Sequence, residues 1–106
     1  MARTPSRLAG PALVSNAAAT KYTVPGSTTA LVRSIHVSNP SASAVDFTLS
    51  IGADAAGTRL YDAYAIPADT AKTFWSYHVL QAAEIIQAFA GTNNILTLTL
   101  DGDLIT

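Results

Sequence analysis

The alternation of apolar and polar residues in one central stretch constrains the fold more than any other feature of the chain. In residues 44–51, apolar side chains occupy every second position, which is typical of a β-strand with one buried face. Residues 29–38 alternate in a similar way, and an Asn-Pro-Ser-Ala-Ser segment that favours turns joins the two stretches. We therefore expect two strands, Thr29–Ser38 and Ala44–Ile51, joined as a hairpin with one face that needs a packing partner.

One charged residue interrupts the apolar side of the first of these strands. We expect that side to consist of Leu31, Ile35 and Val37, and Arg33 lies among them. A charge at such a position indicates a sheet edge, a β-bulge or a contact with another chain.

Strand patterns recur about every ten residues with turn signals between them, which favours a sandwich or a closed barrel. We predict an all-β fold: an antiparallel, jelly-roll-like β-sandwich of about eight strands with an extended N-terminal arm. Residues 79–90 fit either a helix or a strand, because Ala, Gln, Glu and Leu form helices well. We favour a loop followed by a strand at Glu84–Ala90, since the segments on both sides are strands. The side chains that we expect to be buried between the two sheets are Leu31, Ile35, Val37, Phe47, Leu49, Ile51, Leu60, Ile85, Phe89, Leu96, Leu98 and Leu100.

The N-terminal residues predict a separate extended segment. Pro5 and Pro11 disfavour a helix within Met1–Gly10 and just after it. We expect an arm that lies against a neighbouring subunit or packs on its own domain. This divides the chain into residues 1–20, an arm with a first short strand, and residues 21–106, the β-sandwich domain.

The composition indicates a surface that other subunits cover. The chain has 106 residues, of which 49% are hydrophobic and only 12% charged, against about 25% charged in typical domains. The net charge of −1 gives no field that would attract nucleic acid or an anionic membrane. There is no cysteine, and no apolar run approaches the roughly 20 residues of a membrane helix. We expect a homo-oligomer that binds neither nucleic acid nor membrane.

Residues that could carry chemistry are few and poorly spaced. His36 and His78 are the only histidines, and neither belongs to an HxH or HxxxH pattern. The chain contains no Gly-x-Ser-x-Gly nucleophile motif. The Asp101-Gly102-Asp103 segment lacks the later ligands of a calcium loop, so turn chemistry explains it better. We predict a protein that is not an enzyme and needs no cofactor or metal.

Aromatic residues cluster in one third of the chain and are the best candidates for binding. Aromatic rings stack on sugars and are enriched at protein interfaces. We expect Trp75 to anchor the core or the sandwich rim, or to lie at a subunit interface, and we expect the tyrosines either to be exposed for binding or to pack internally. The candidate interface residues are Arg3, Arg7, Arg33, Tyr61, Tyr64, Trp75 and Tyr77.

Several segments between Lys21 and Thr106 resemble small virion proteins of tailed bacteriophages. They are Tyr22-Thr23-Val24-Pro25, Leu31–Asn39, Phe47–Asp54, Ile66-Pro67-Ala68 and Leu96–Leu100. The resemblance implies a β-sandwich subunit on the capsid surface or the tail, of head-decoration or tail-accessory type, without catalytic residues. We therefore expect a homo-oligomeric virion protein that is assembled in the host cytoplasm and docks on other virion proteins through its neutral surface and its N-terminal arm. The alternative is a carbohydrate- or host-surface-binding module on the virion, in which a tyrosine stacks on a host glycan.

Overall fold

The computed structural model describes residues 2–106, and these form a β-sandwich of two four-stranded antiparallel sheets. This confirms the predicted all-β fold and the number of strands. The eight strands are β1 (Arg3–Leu13), β2 (Ala19–Thr23), β3 (Thr29–Asn39), β4 (Val45–Ile51), β5 (Arg59–Ile66), β6 (Thr70–Leu80), β7 (Ile85–Ala90) and β8 (Thr97–Ile105). Within residues 2–106, no helix is long and apolar enough to cross a membrane.

The strand order is that of a jelly roll. The first sheet has the order β1-β8-β3-β6 and the second has the order β2-β7-β4-β5. Strands pair as 1 with 8, 2 with 7, 3 with 6 and 4 with 5, as if one long hairpin with its tip between β4 and β5 had been rolled up. Every connection except β4–β5 therefore passes from one sheet to the other.

This topology corrects the predicted hairpin. β3 and β4 belong to different sheets, so the segment around Pro40 carries the chain across the sandwich instead of reversing it within one sheet. The two apolar faces pack against each other: Ile35 and Val37 of β3 and Phe47 and Leu49 of β4 are all buried. The alternation in the sequence correctly identified β3 and β4 as strands. Their pairing with strands distant in the sequence placed them in different sheets.

The N-terminal segment is part of the sandwich. β1 forms an edge of the first sheet and pairs antiparallel with β8, from Arg3 opposite Ile105 to Leu13 opposite Thr97. Residues 3–13 thus pack on their own domain, which is one of the two arrangements expected for the arm, and the proposed boundary at residue 20 falls inside β2. Met1 lies outside the described residues.

The core lies between the inner faces of the two sheets. Large buried side chains there include Phe47, Leu49, Leu96, Leu98 and Leu100, as the sequence predicted. β7 is a strand, which settles the ambiguous region, but its inward residues are Ile86, Ala88 and Ala90 instead of the expected Ile85 and Phe89. Leu60 is likewise exposed, not buried. Burial of each large core side chain stabilises the fold by about 1.5–3 kcal/mol before the loss of conformational entropy is subtracted.

Candidate interaction surface

β6 carries a row of exposed apolar side chains on the solvent side of the first sheet. Trp75 is 81% exposed, Tyr77 66% and Val79 49%, whereas Phe74 and Leu80 point inward and are buried. The three exposed residues, Trp75, Tyr77 and Val79, are called the aromatic row below. The expectation that Trp75 anchors the core is wrong, and its other two expected positions, the sandwich rim and a subunit interface, stay predictions.

A β-bulge places Arg33 on the same outer face. In the pairings of β3 with both of its neighbours, the register shifts between Val32 and Ser34. Relative to β8, β3 has one extra residue, Arg33, so Val32 and Ile35 are both buried although they are three residues apart. Relative to β6, the extra residue lies on β6, where Ser76 and Tyr77 lie opposite Arg33. The bulge that the sequence offered as one explanation of Arg33 is confirmed. It also turns Leu31 to the outer face, where Leu31 pairs with Val79 and Asp103 and is still only 3% exposed.

The three candidate arginines are held by carboxylates of β8. Arg3 donates through Nε and Nη2 to Asp103 Oδ2 at 3.0 and 2.9 Å, and Arg33 donates through Nη1 to the same oxygen at 3.2 Å. Arg7 lies 3.9 Å from Asp101. The hydrogen bonds from Arg3 and then Arg33 lower the pKa of Asp103 below its usual value, against the opposing effect of burial. These contacts attach β1 and the bulge of β3 to β8.

The two tyrosines of β5 lie at the side of the sandwich, between β5 and the inner face of β6. Tyr61 stacks on Phe74 with ring centroids 4.1 Å apart, and Tyr64 meets the same ring edge-on at 5.0 Å. Burial raises the pKa of the Tyr61 hydroxyl. The structure therefore brings Arg3, Arg7, Arg33, Trp75 and Tyr77 to one outer face, while Tyr61 and Tyr64 pack at the adjacent side.

Two further polar groups, His36 and Asp54, have structural partners. His36 Nδ1 lies 2.8 Å from Thr73 Oγ1 on the neighbouring strand. Asp54 accepts two hydrogen bonds from Arg59, at 3.0 Å each, and these are the main reason why its pKa is lowered. Among residues 2–106, no three His, Cys, Asp or Glu side chains are arranged to hold a metal ion.

One buried polar residue was not singled out as structural by the sequence. Asn39 lies beside an open cavity of about 410 Å³ that is also lined by Pro40 and Asp69. Its side chain donates to the carbonyl oxygens of Ser43 and Ile66 and so joins two connections between the sheets. An Asn beside a Pro signals a turn, but these longer-range contacts have no local signature.

Comparison with known proteins adds no relative. No protein-family model matches the chain, and neither the curated proteins nor the solved structures give a match. The functional argument therefore depends on the geometry of the outer face and on the resemblance noted in the sequence.

Proposed function

We propose that this chain is a structural component of a tailed-phage virion: a small oligomeric protein that docks on the capsid surface or the tail through the outer face of its first sheet. The observation that carries the proposal is the aromatic row, with Trp75 81% exposed. The resemblance of residues 21–106 to small virion proteins supports it, and jelly rolls occur in viral capsid proteins as well as in lectins.

The physical argument starts from the free energy of the exposed rings. Trp and Tyr are among the residues that contribute most to binding at protein interfaces. Burying one large apolar side chain stabilises a complex by about 1.5–3 kcal/mol before the costs of association. The aromatic row therefore offers several kcal/mol to a partner that covers it, and the chain has few charges to oppose that contact.

The arginine–aspartate contacts give this face a polar border. Arg33 reaches Asp103 next to the row, and Arg7 and Asp101 lie further along the same face. Interfaces commonly combine an apolar centre with a polar rim that contains Arg. The proposed partners are other copies of the chain and other virion proteins, and the proposed location is the assembled virion.

Incorporation into particles tests the proposal. Purified wild-type chain is mixed with particles that lack it, and bound protein is measured after sedimentation. We expect saturable incorporation that falls at least tenfold in Trp75→Ala/Tyr77→Ala. Leu60→Ala, which truncates an exposed apolar residue of the second sheet, serves as the control and should bind like wild type. Failure of the wild-type chain to bind, or equal binding by the double variant, would contradict the proposal.

A glycan-binding function is the second candidate, and one observation favours it. Trp75 and Tyr77 present exposed rings, and Ser34, a residue with a hydrogen-bonding hydroxyl, lies opposite Trp75 on β3. Rings beside hydroxyl groups are suited to sugars. Saturable binding on a glycan array, lost in Trp75→Ala and Tyr77→Ala, would favour this function over a role in assembly alone. Tyr61 and Tyr64 are poorer candidates because both rings pack against Phe74.

A further inference from the structure

The two sheets end in four edge strands, β1 and β6 in the first sheet and β2 and β5 in the second. An edge strand presents unpaired backbone N–H and C=O groups, which pair with other chains unless the strand is short, charged, bulged or interrupted by proline. Comparing the four edges therefore shows which one is open to a partner strand.

Three of the edges carry such interruptions. β1 contains Pro5 and Pro11, which lack backbone donors, and has two register shifts in its pairing with β8. β2 has only five residues and includes Lys21. β5 is irregular at Ala63, which has φ = 50° and donates its N–H to Thr48 Oγ1 at 2.9 Å. These features disfavour a continuous ladder with an added strand.

β6 differs from the other three edges. It runs for 11 residues, Thr70–Leu80, without proline, and Lys72 is its one formally charged residue. Its pairing with β3 contains one bulge, where Ser76 and Tyr77 lie opposite the single residue Arg33. The outward alternation of Trp75, Tyr77 and Val79 continues through this bulge. A long exposed apolar edge of this kind leads to aggregation unless a specific partner covers it.

We propose that β6 pairs antiparallel with β6 of a second copy about a two-fold axis, which joins two first sheets into one eight-stranded sheet. The inference rests on the proposed assembly function and specifies its self-contact. A two-fold axis perpendicular to the sheet lets one surface serve both subunits, so each exposed backbone group meets its complement on an identical strand. β6 contains no acidic residue that would favour a basic partner strand, and its single Lys72 gives little preference for an acidic one. The charge of β6 is therefore compatible with pairing to an identical strand.

The strand length sets the register. Trp75 is the midpoint of Thr70–Leu80, so centring the pair there gives each of the 11 residues a partner. Trp75 then faces its own copy, and Thr73 faces Tyr77 of the partner subunit. Apolar rings flank the contact on both faces of the sheet, with Trp75 and Tyr77 outside and the Tyr64 ring against Phe74 inside. This matches the enrichment of aromatic residues at interfaces.

Cysteine cross-linking in solution tests both the partner and the register, because the native chain contains no cysteine. Directly opposed Cα atoms lie about 4.5–5.5 Å apart, within the range of a disulfide. A residue two positions from the centre lies about 14 Å from its own copy, too far to react. Under mild oxidation we expect Trp75→Cys to form a covalent dimer of twice 11.0 kDa, and Thr73→Cys and Tyr77→Cys alone to stay monomeric.

The double variant Thr73→Cys/Tyr77→Cys keeps Trp75 in place and should also dimerise. The thiol introduced at position 73 of one copy then faces the thiol introduced at position 77 of the other copy. Thr23→Cys, an exposed position on the β2 edge, is the matched control and should give no dimer. Intact mass and a non-reducing gel give the yield. No dimer in either Trp75→Cys or the double variant, or equal yield in the control, would overturn the pairing.

This test separates the strand pairing from the virion role. Incorporation of wild-type chain into particles without cross-linking would refute the β6 pairing and leave the virion role standing. Cross-linking at the expected positions without incorporation would support the β6 pairing and refute the virion role.

Discussion

Asn39 holds together two of the connections that pass between the sheets, and its replacement by Ala should destabilise the fold. The residue is 1% exposed at the end of β3. Its Nδ2 donates to the carbonyl oxygens of Ser43 and Ile66, both at 2.9 Å, and its Oδ1 accepts the backbone N–H of Ser41 at 3.0 Å. One side chain thus joins the β3–β4 connection to the end of β5.

The size of the effect follows from these bonds. Each hydrogen bond contributes about 0.5–1.5 kcal/mol net, and a buried group left without a partner costs about 1–3 kcal/mol. The bond to Ile66 is buried, whereas water can replace the amide at the partly exposed bonds to Ser41 and Ser43. We expect Asn39→Ala to lower the free energy of unfolding by about 2–4 kcal/mol. At about 4 °C per kcal/mol, the melting temperature falls by about 8–16 °C.

Urea unfolding followed by circular dichroism measures this change. Asn39→Asp keeps the shape of the side chain but replaces the donor NH2 with an acceptor, so it should destabilise the fold at least as much as Asn39→Ala. Asn16→Ala, at an exposed loop position, is the control and should change stability by less than about 0.5 kcal/mol. A loss in Asn39→Ala no larger than in this control would refute the assigned role.

Two further predictions concern the first sheet. Gly102→Ala should unfold the protein or lower its melting temperature severely, because a Cβ there would lie 1.8 Å from the carbonyl oxygen of Leu31. Gly26→Ala is the control and should be tolerated, because a Cβ at Gly26 would meet no atom within 4 Å. Thermal melts compare the two variants. Because Arg3 holds the pKa of Asp103 below its unfolded value of about 3.9, the stability from this contact is fully present above that pH and is lost as the pH falls further. The difference in melting temperature between wild type and Asp103→Asn should therefore shrink as the pH falls from about 5 to about 2. A difference that stays constant over this range would refute the assigned contact.

The sequence predicted the strands well because their signal is local. The period-two alternation of Phe47 and Leu49, and of Leu96, Leu98 and Leu100, is visible without any knowledge of the partner strands. Their arrangement in sheets was less predictable. The turn residues around Pro40 look the same whether the next strand pairs with β3 or crosses to the other sheet.

The end of the chain shows the same limit. The sequence analysis attributed Asp101-Gly102-Asp103 to a turn, but β8 continues through this segment to Ile105. Gly102 is needed there because the backbone of β3 at Leu31 approaches closely, and this contact joins residues 71 positions apart in the chain. No local sequence pattern predicts this close contact between the backbones of β3 and β8.

The sequence analysis named candidate interface residues, but it did not predict how the fold arranges them. Phe74 and Trp75 are adjacent in the sequence, so strand alternation places them on opposite faces, as the structure shows. Both faces are aromatic, so composition could not decide which of them turns inward. The pairing of β6 with β3 decides it, since Trp75 lies opposite Ser34 on the outer face and Phe74 lies opposite the buried Ile35.

The mass of the purified chain in solution tests most directly whether the outer face of the first sheet is an assembly surface. Sedimentation equilibrium across micromolar concentrations should give wild-type particles of at least twice 11.0 kDa, and Trp75→Ala/Tyr77→Ala should sediment as a folded 11.0 kDa monomer. A wild-type chain that remains a single 11.0 kDa species at every concentration, with the aromatic row still facing water, would contradict the account.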